Sequence, residues 1–347
     1  MSLLLFSTGV FVVAAKRTPF GTYGGVLKDH SATDLAEYAA KAALAAGGVA
    51  PELINSVIMG NVMQTHARHV GLRCGVPVPV PALTVNRLCG SGFQAIVSGA
   101  QFMNLFKRHT CHNKCGGSES MSQAPYAVRN IRFGTKFGFD LKLEDTMWAG
   151  LTDLHIKIPM GITAENLAEK YQITREDCDN YTYQTQQRWK AGHEAGHFAA
   201  EIAPIDIKAK KGKVPVTQDE HPRPQTTVEQ MAKLAPVFKK QGTVTAANAL
   251  GVSDGAAAVI IASEDAVKEH KLNPLARLMS YHPSGCDPSI MGIGETKGCG
   301  AFKENMSNEL LVLCLNKIGQ PRGSKYLAVK RVEKRKKNKH DENWAVQ

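Results

Sequence analysis

The strongest constraint on what this chain can fold into is an alternation of short apolar runs with capped helical stretches. Val10–Ala14 (VFVVA) is β-rich and too short for a helix. Ser31 and Asp34 then supply a capping signal for an alanine-rich stretch that stops at Gly47-Gly48. Ser56 to Met63 is a second apolar strand, and Ala82 to Asn86 a third after the proline-spaced loop Val76 to Pro81. Phe93 to Phe102 reads as helical. Strand followed by helix, repeated, predicts an α/β fold with a mixed or parallel sheet.

From about Ser118 to Gln241 the texture changes to longer polar segments, which read as an insertion. Within it, Thr174 with Asp177 opens a helix through Trp189, and Thr226 with Glu229 is expected to form a capping box for Val228 to Leu234. Strand character returns at Ala257 to Ala262, followed by a short helix to His270 and a strand over Leu275 to His282. Beyond it, Ser307 to Leu315 has helical character and no further strand is expected. The expected units are residues 1–117, an inserted loop domain over 118–241, a return at 242–271, an opening strand of a second half at 272–294, and a divergent, disordered basic tail over 295–347.

The formal net charge of +11 is local: Arg322 to Lys339 carries nine Lys/Arg against Glu333, leaving +3 for the rest of the chain. That distribution argues against a nucleic-acid partner and for a solvated terminus. The eight cysteines are scattered, as expected of free thiols in a reducing compartment. No apolar run approaches the roughly 18 residues needed to cross a bilayer, so no membrane span is expected. The first residues contain no cleavable presequence pattern.

Chemistry concentrates at Asn86 to Gln94 (NRLCGSGFQ). Cys89 falls where a strand ends and a helix begins, and the glycines after it permit a tight turn and close approach of a ligand. Backbone N–H groups at a helix N-terminus stabilise a thiolate, so a lowered thiol pKa and a nucleophilic role are expected. A buried structural cysteine is the alternative.

Five segments, in order, carry a resemblance. They are NRLCGSGFQAI (Asn86 to Ile96), GGSESMS (Gly116 to Ser122), MGITAEN (Met160 to Asn166), GTVTAAN (Gly242 to Asn248) and DGAA (Asp254 to Ala257). Together they resemble the thiolase family over roughly residues 9 to 294. The resemblance implies a thiolase-like α/β fold whose C-terminal half is truncated or degenerate. It also implies a mitochondrial acyltransferase of fatty-acid β-oxidation. In that chemistry a thiolate attacks the 3-keto carbon of a 3-ketoacyl-CoA, acetyl-CoA leaves, and free CoA collects the acyl group. Cys89 matches the acylated nucleophile, and Arg223 and Thr226 match positions that hold the nucleotide end of CoA. CoA is then a substrate; no permanently bound cofactor and no metal is expected.

The chain also departs from the family. Leu250 stands where a serine lines the pantetheine arm, and Ala247 replaces a glycine. The loop Gln64 to Arg68 is short. Leu105 to Cys115 is polar where a buried apolar strand is expected, so a disrupted strand is expected there. Its His109, Cys111, His112 and Cys115 offer zinc-ligand types, but not the two separated pairs that structural zinc sites use. The Asn-Glu-Ala-Phe, Gly-His-Pro and Cys-x-Gly-Gly-Gly segments of thiolases are not found, so impaired activity is expected. A bared sheet face would favour a homo-oligomer, or a hetero-oligomer with an intact thiolase subunit.

Overall fold

The computed structural model describes residues 4–64, 67–106, 112–209, 212–293, 312–313 and 324–331. The strands are β1 (Leu4–Arg17), β2 (Gly21–Thr22), β3 (Ile54–Gly60), β4 (Ala82–Val85), β5 (His112–Ser120), β6 (Tyr126–Val128), β7 (Leu143–Asp145), β8 (Ile205–Ala209), β9 (Gly212–Val216), β10 (Ser253–Ser263), β11 (Ala276–Ser284), β12 (Val312–Leu313) and β13 (Ser324–Arg331). The helices are α1 (Ala32–Gly47), α2 (Ala67–Arg73), α3 (Ser91–Phe106), α4 (Thr146–Gly150), α5 (Met160–Tyr171), α6 (Arg175–Glu194), α7 (Val228–Ala232) and α8 (Glu264–Glu269). One mixed sheet runs in the order β12-β13-β11-β1-β10-β5-β3-β4, with β2 on the end of β10. Among the described strands of this sheet the parallel ladders are those of β3, with β4 on one side and β5 on the other; the remaining ladders are antiparallel.

Period-two alternation divides the core between the two sheet faces. Val57, Met59, Ile260 and Ala262 pack against α1, α2 and α8, whereas Ile58, Cys115, Ile261 and Leu278 pack against α3. Each fully buried Leu or Ile contributes about 1.5–3 kcal/mol. Helix α1 starts at the capping box of Ser31 with Asp34 and ends at Gly48, whose φ of 62° closes the helix in the left-handed region.

Three expectations are corrected. Of the polar stretch Leu105 to Cys115, the part from His112 on does not disrupt its strand, because β5 is central and pairs continuously with β10 from His112 to Ser120; residues 107–111 lie outside the described residues. Polar groups of all three residues before Cys115 find partners among the described residues, the His112 ring Nε2 excepted. Asn113 Nδ2 donates to Gly99 O at 2.9 Å, the His112 amide donates to Asn55 Oδ1 at 2.8 Å, and Lys114 Nζ lies 3.5 Å from Val70 O. Second, the stretch 295–347 is not without strands, because β12 and β13 extend the sheet beyond β11. Of the helix expected at Ser307 to Leu315, the described residues Val312 and Leu313 are strand, and the others lie outside the described residues. Third, the cap of α7 is Thr227 with Gln230, one residue later than expected.

Residues 121–252 separate β5 from β10 and carry α4–α7 with two small ribbons, β6–β7 and β8–β9. Arg17, at the end of β1, ties this excursion to the sheet. Its Nη1 and Nη2 donate to the Asp219 carboxylate at 2.7 and 3.1 Å, and its Nε to Glu201 Oε1 at 2.8 Å. Glu220 Oε2 accepts from the amides of Thr22 and Val26. The turn that follows, with Arg223, is thereby fixed relative to the body.

His112 is buried beside His270, with ring centroids 5.0 Å apart, and its Nε2 has no hydrogen-bond partner among the described residues. Burial first and His270 second push its pKa down from 6.5 to about 4. Between those pH values the unfolded chain takes up a proton that the folded chain refuses. Urea midpoints should therefore fall as pH is lowered from about 6.5 to about 4, more steeply than in His112→Gln.

Candidate active site

Cys89 sits on a turn built by its own neighbours. Asn86 Oδ1 accepts from the Leu88 amide at 2.9 Å, an Asx-type turn. Leu88 then takes φ 47°, in the left-handed region that costs a branched residue about 1 kcal/mol or more. The Ser91 hydroxyl accepts from the Arg87 amide at 2.8 Å and donates to Leu88 O, and the Gly90 amide donates to Arg87 O at 3.1 Å. Helix α3 starts at Ser91, so the sequence VNRLCGSG converts strand to helix within a few residues and leaves Cys89 half-buried at the corner.

Three glycines let that corner sit close to the sheet. A Cβ on Gly60, at the end of β3, would land inside the backbone of Ser91 and Gly92. A Cβ on Gly117 of β5 would lie 3.0 Å from Gly92 Cα. Gly60→Ala should therefore destabilise the chain by about 3 kcal/mol in urea denaturation, because backbone, not a movable side chain, blocks the new methyl group.

Beside this corner lies a carboxylate that the sequence reading did not single out. Glu119 accepts from the Val62 amide at 2.9 Å, the Met63 amide at 3.2 Å and Asn61 Nδ2 at 3.1 Å. Burial nevertheless outweighs these donors and raises its pKa. Glu119 stands in the sequence only as part of the segment Gly116 to Ser122, and its contacts with residues 61–63 in the structure reveal the clamp.

The expected acidic thiol is reversed. Burial first, and the Glu119 charge second, push the Cys89 thiol up to about 12, against a smaller lowering contribution from its own backbone. At neutral pH the resting group is a thiol, and an external base must remove its proton before it attacks a carbonyl.

Arg223 and Thr226 share the turn ahead of α7, where the Thr226 amide donates to Arg223 O at 3.0 Å. Arg223 is exposed, and its Nη1 folds back onto the carbonyl oxygens of Glu220, His221 (3.1 Å) and Pro222 (2.9 Å). Because the cap belongs to Thr227, the Thr226 hydroxyl takes no part in it. Leu250 is 65% exposed in the turn before β10, and His221 Nε2 lies 3.1 Å from Val252 O and 3.0 Å from Ser253 Oγ. A cleft of about 380 Å³ lined by Glu165, Gln172, Lys239 and Gly242 contains none of Cys89, Arg223 or Thr226.

Two family-like segments touch one another. Glu165 Oε2 accepts from the Thr243 amide at 2.7 Å and Oε1 from the Val244 amide at 2.9 Å, and Asn248 Nδ2 donates to Asp179 Oδ1 at 2.9 Å. The zinc alternative fails on orientation. His112 faces α8 and Cys115 faces α3, on opposite sides of β5, while His109 and Cys111 lie outside the described residues. Among the described residues no cluster of three metal-ligand side chains occurs.

The sequence pattern of the thiolase N-terminal domain matches residues 10–265. Mitochondrial 3-ketoacyl-CoA thiolase of Mus musculus is 67% identical over 85% of this chain and 76% of its own length. The Bos taurus protein of that name is 60% identical over 93% of this chain and 82% of its own, a longer match than the span 9–294 read from the motifs. The crystal structure of human mitochondrial 3-ketoacyl-CoA thiolase in complex with CoA superposes with a TM-score of 0.82 at 61% identity, covering 86% of this chain and 76% of that one.

Alkylation of Cys89 by iodoacetamide should be slow at pH 7 and still rising above pH 9, as followed by mass spectrometry of its peptide. Glu119→Gln removes a charge that holds the thiol neutral, so the alkylation profile should shift to lower pH; an unchanged profile refutes the coupling.

Proposed function

The chain belongs to the thiolase family, and from that membership we propose that it acts on 3-ketoacyl-CoA as a mitochondrial acetyl-CoA C-acyltransferase of fatty-acid β-oxidation. The observation that carries the proposal is Cys89 at a strand-to-helix corner where Gly60, Gly92 and Gly117 let helix α3 start directly against the sheet. In this reading the Cys89 sulfur attacks the 3-keto carbon, the bond between C2 and C3 breaks, and acetyl-CoA leaves after its C2 takes up a proton. The acyl group stays on Cys89 as a thioester until the thiol of free CoA displaces it. Backbone N–H groups at the start of α3 suit the developing oxyanion. Arg223 and Thr226 would hold the nucleotide end of CoA, the Arg fork turning from its own carbonyls to phosphate. CoA enters as a substrate, with no permanently bound cofactor in this scheme.

The proton is the difficult step. A thiol pushed up to about 12 needs a base, and the Gly-His-Pro histidine expected of the family is not found in the sequence. General acid–base help contributes roughly 10²–10⁴-fold, so the chain alone should turn over that much more slowly than an intact thiolase. The same thiol favours a second reading, in which the chain binds CoA weakly or associates with an intact thiolase subunit without turning over.

Incubation with a 3-ketoacyl-CoA followed by acid quench should give an acyl adduct on the Cys89 peptide that is lost in Cys89→Ser and released by CoA. Arg223→Ala should weaken CoA binding about tenfold in calorimetry, equivalent to about 1.4 kcal/mol. Absence of any adduct, with CoA still bound, rejects the acyl-transfer reading in favour of the second one.

A further inference from the structure

Strand β5 carries a lysine where an α/β core has no use for one. Lys114 is fully buried, at 0% exposure, among the apolar side chains between the sheet and α2. Its Nζ approaches two atoms, Val70 O at 3.5 Å and Cys74 Sγ at 3.4 Å. Cys74 follows the last turn of α2, where its amide donates to Val70 O at 3.1 Å, and it is itself 6% exposed. One carbonyl oxygen therefore aligns both the amine and the cysteine backbone. Among the described residues Lys114 forms no ion pair. Glu37, the acid whose charge reaches it, is engaged by Lys41 and Arg73 at the surface.

We infer that Lys114 and Cys74 form a site of peroxide-dependent covalent crosslinking, closing a sulfur–nitrogen bond between α2 and the central strand. The oxidant is hydrogen peroxide or another hydroperoxide. Its O–O bond breaks as the Cys74 thiol becomes a sulfenic acid and one water is released. The Lys114 lone pair then attacks Sγ, the S–O bond breaks, and hydroxide leaves as a second water with a proton from the amine. Sulfur is oxidised by two electrons, the peroxide is reduced by two, and the joined side chains have lost two hydrogens. The packing supplies what the step needs. The amine is held against sulfur, with no other side chain hydrogen-bonded to it among the described residues, and burial favours its neutral, nucleophilic form, overriding the opposing influence of Cys74. Cys115, the described cysteine of β5, faces α3 on the opposite side of the sheet and does not compete.

The test is peptide mapping of the whole folded chain, treated with excess hydrogen peroxide, blocked with iodoacetamide and digested with trypsin without reductant. The expected product joins the peptide Cys74 to Arg87 with the peptide His109 to Arg129, uncleaved at Lys114 and lighter than their sum by two hydrogens. Dithiothreitol should release the two, and chain oxidised in concentrated urea should not form the product. Lys114→Met and Cys74→Ser should each abolish it. Protection of Lys114 from trypsin in the unsubstituted chain gives the same answer should either variant fail to fold. Recovery of Cys74 as sulfinic or sulfonic acid, as a disulfide or as unreacted thiol, with trypsin still cutting at Lys114, overturns the inference.

Discussion

Everything at Cys89 depends on how closely the first turn of α3 rests on the backbone of β3 and β5. Gly60, Gly92 and Gly117 form a contact in which main chain meets main chain, with no side chain to yield. That contact sets the direction in which α3 leaves the sheet, and with it the packing of Phe93, Ile96, Val97 and Ala100 against Ile58, Cys115 and Ile261. Asn86, Leu88 and Ser91 then have only one way to close the chain between strand and helix. Burial at this corner is also what makes the sulfur a poor acid. The geometry that presents the nucleophile also withholds its charge.

Much of the fold was legible because its signals are local. Ser31 with Asp34 and Thr174 with Asp177 cap the helices they precede, and both pairs are complete within four residues of sequence. The cap of α7 shows where that kind of signal becomes ambiguous. Thr226 with Glu229 and Thr227 with Gln230 both have the right spacing, and the turn made by the Thr226 amide and Arg223 O shifts the helix start to the later pair. Strand β5 was illegible for another reason. His112, Asn113 and Lys114 have no strand signature, and they are held in place by the ladders to β3 and β10, with Asn55 taking the His112 amide, Gly99 the Asn113 side chain and Val70 the Lys114 amine. The position of Cys89 could be read from its neighbours, whereas its titration could not, because burial in the folded corner sets it first and Glu119, from another strand, second.

The segments that carried the resemblance divide by what they do. Residues 86–96 and 116–122 meet at the corner, where glycine is required by close approach. Residues 160–166 and 242–248 meet away from it, through Glu165 and the amides of Thr243 and Val244, and Asn166 Nδ2 reaches Ser289 O at 2.9 Å. Likeness in the second pair therefore reports how the excursion is stitched to itself and to residues near the end of the sheet. Arg17, gripping Asp219 and Glu201 together, carries that stitching back to β1. Arg223 owes its location to this arrangement, even though nothing in its immediate sequence specifies it.

The strand order has a consequence for how the molecule comes into being. The middle of the sheet joins β1, β10 and β5, which come from the beginning, the far side and the near side of the long excursion. Ser120 cannot meet Asp254 until everything between them has been gathered into a closed loop. Loop closure of that length grows only logarithmically costly, but it must precede the contacts that reward it, which places the chain among slow, high-contact-order folders. The β3–β4 pair and α1 can organise from neighbouring residues, whereas β10 joins β5 only once the excursion has closed, and until then the backbone N–H and C=O groups of β1 and β5 that it pairs in the finished sheet lack those partners.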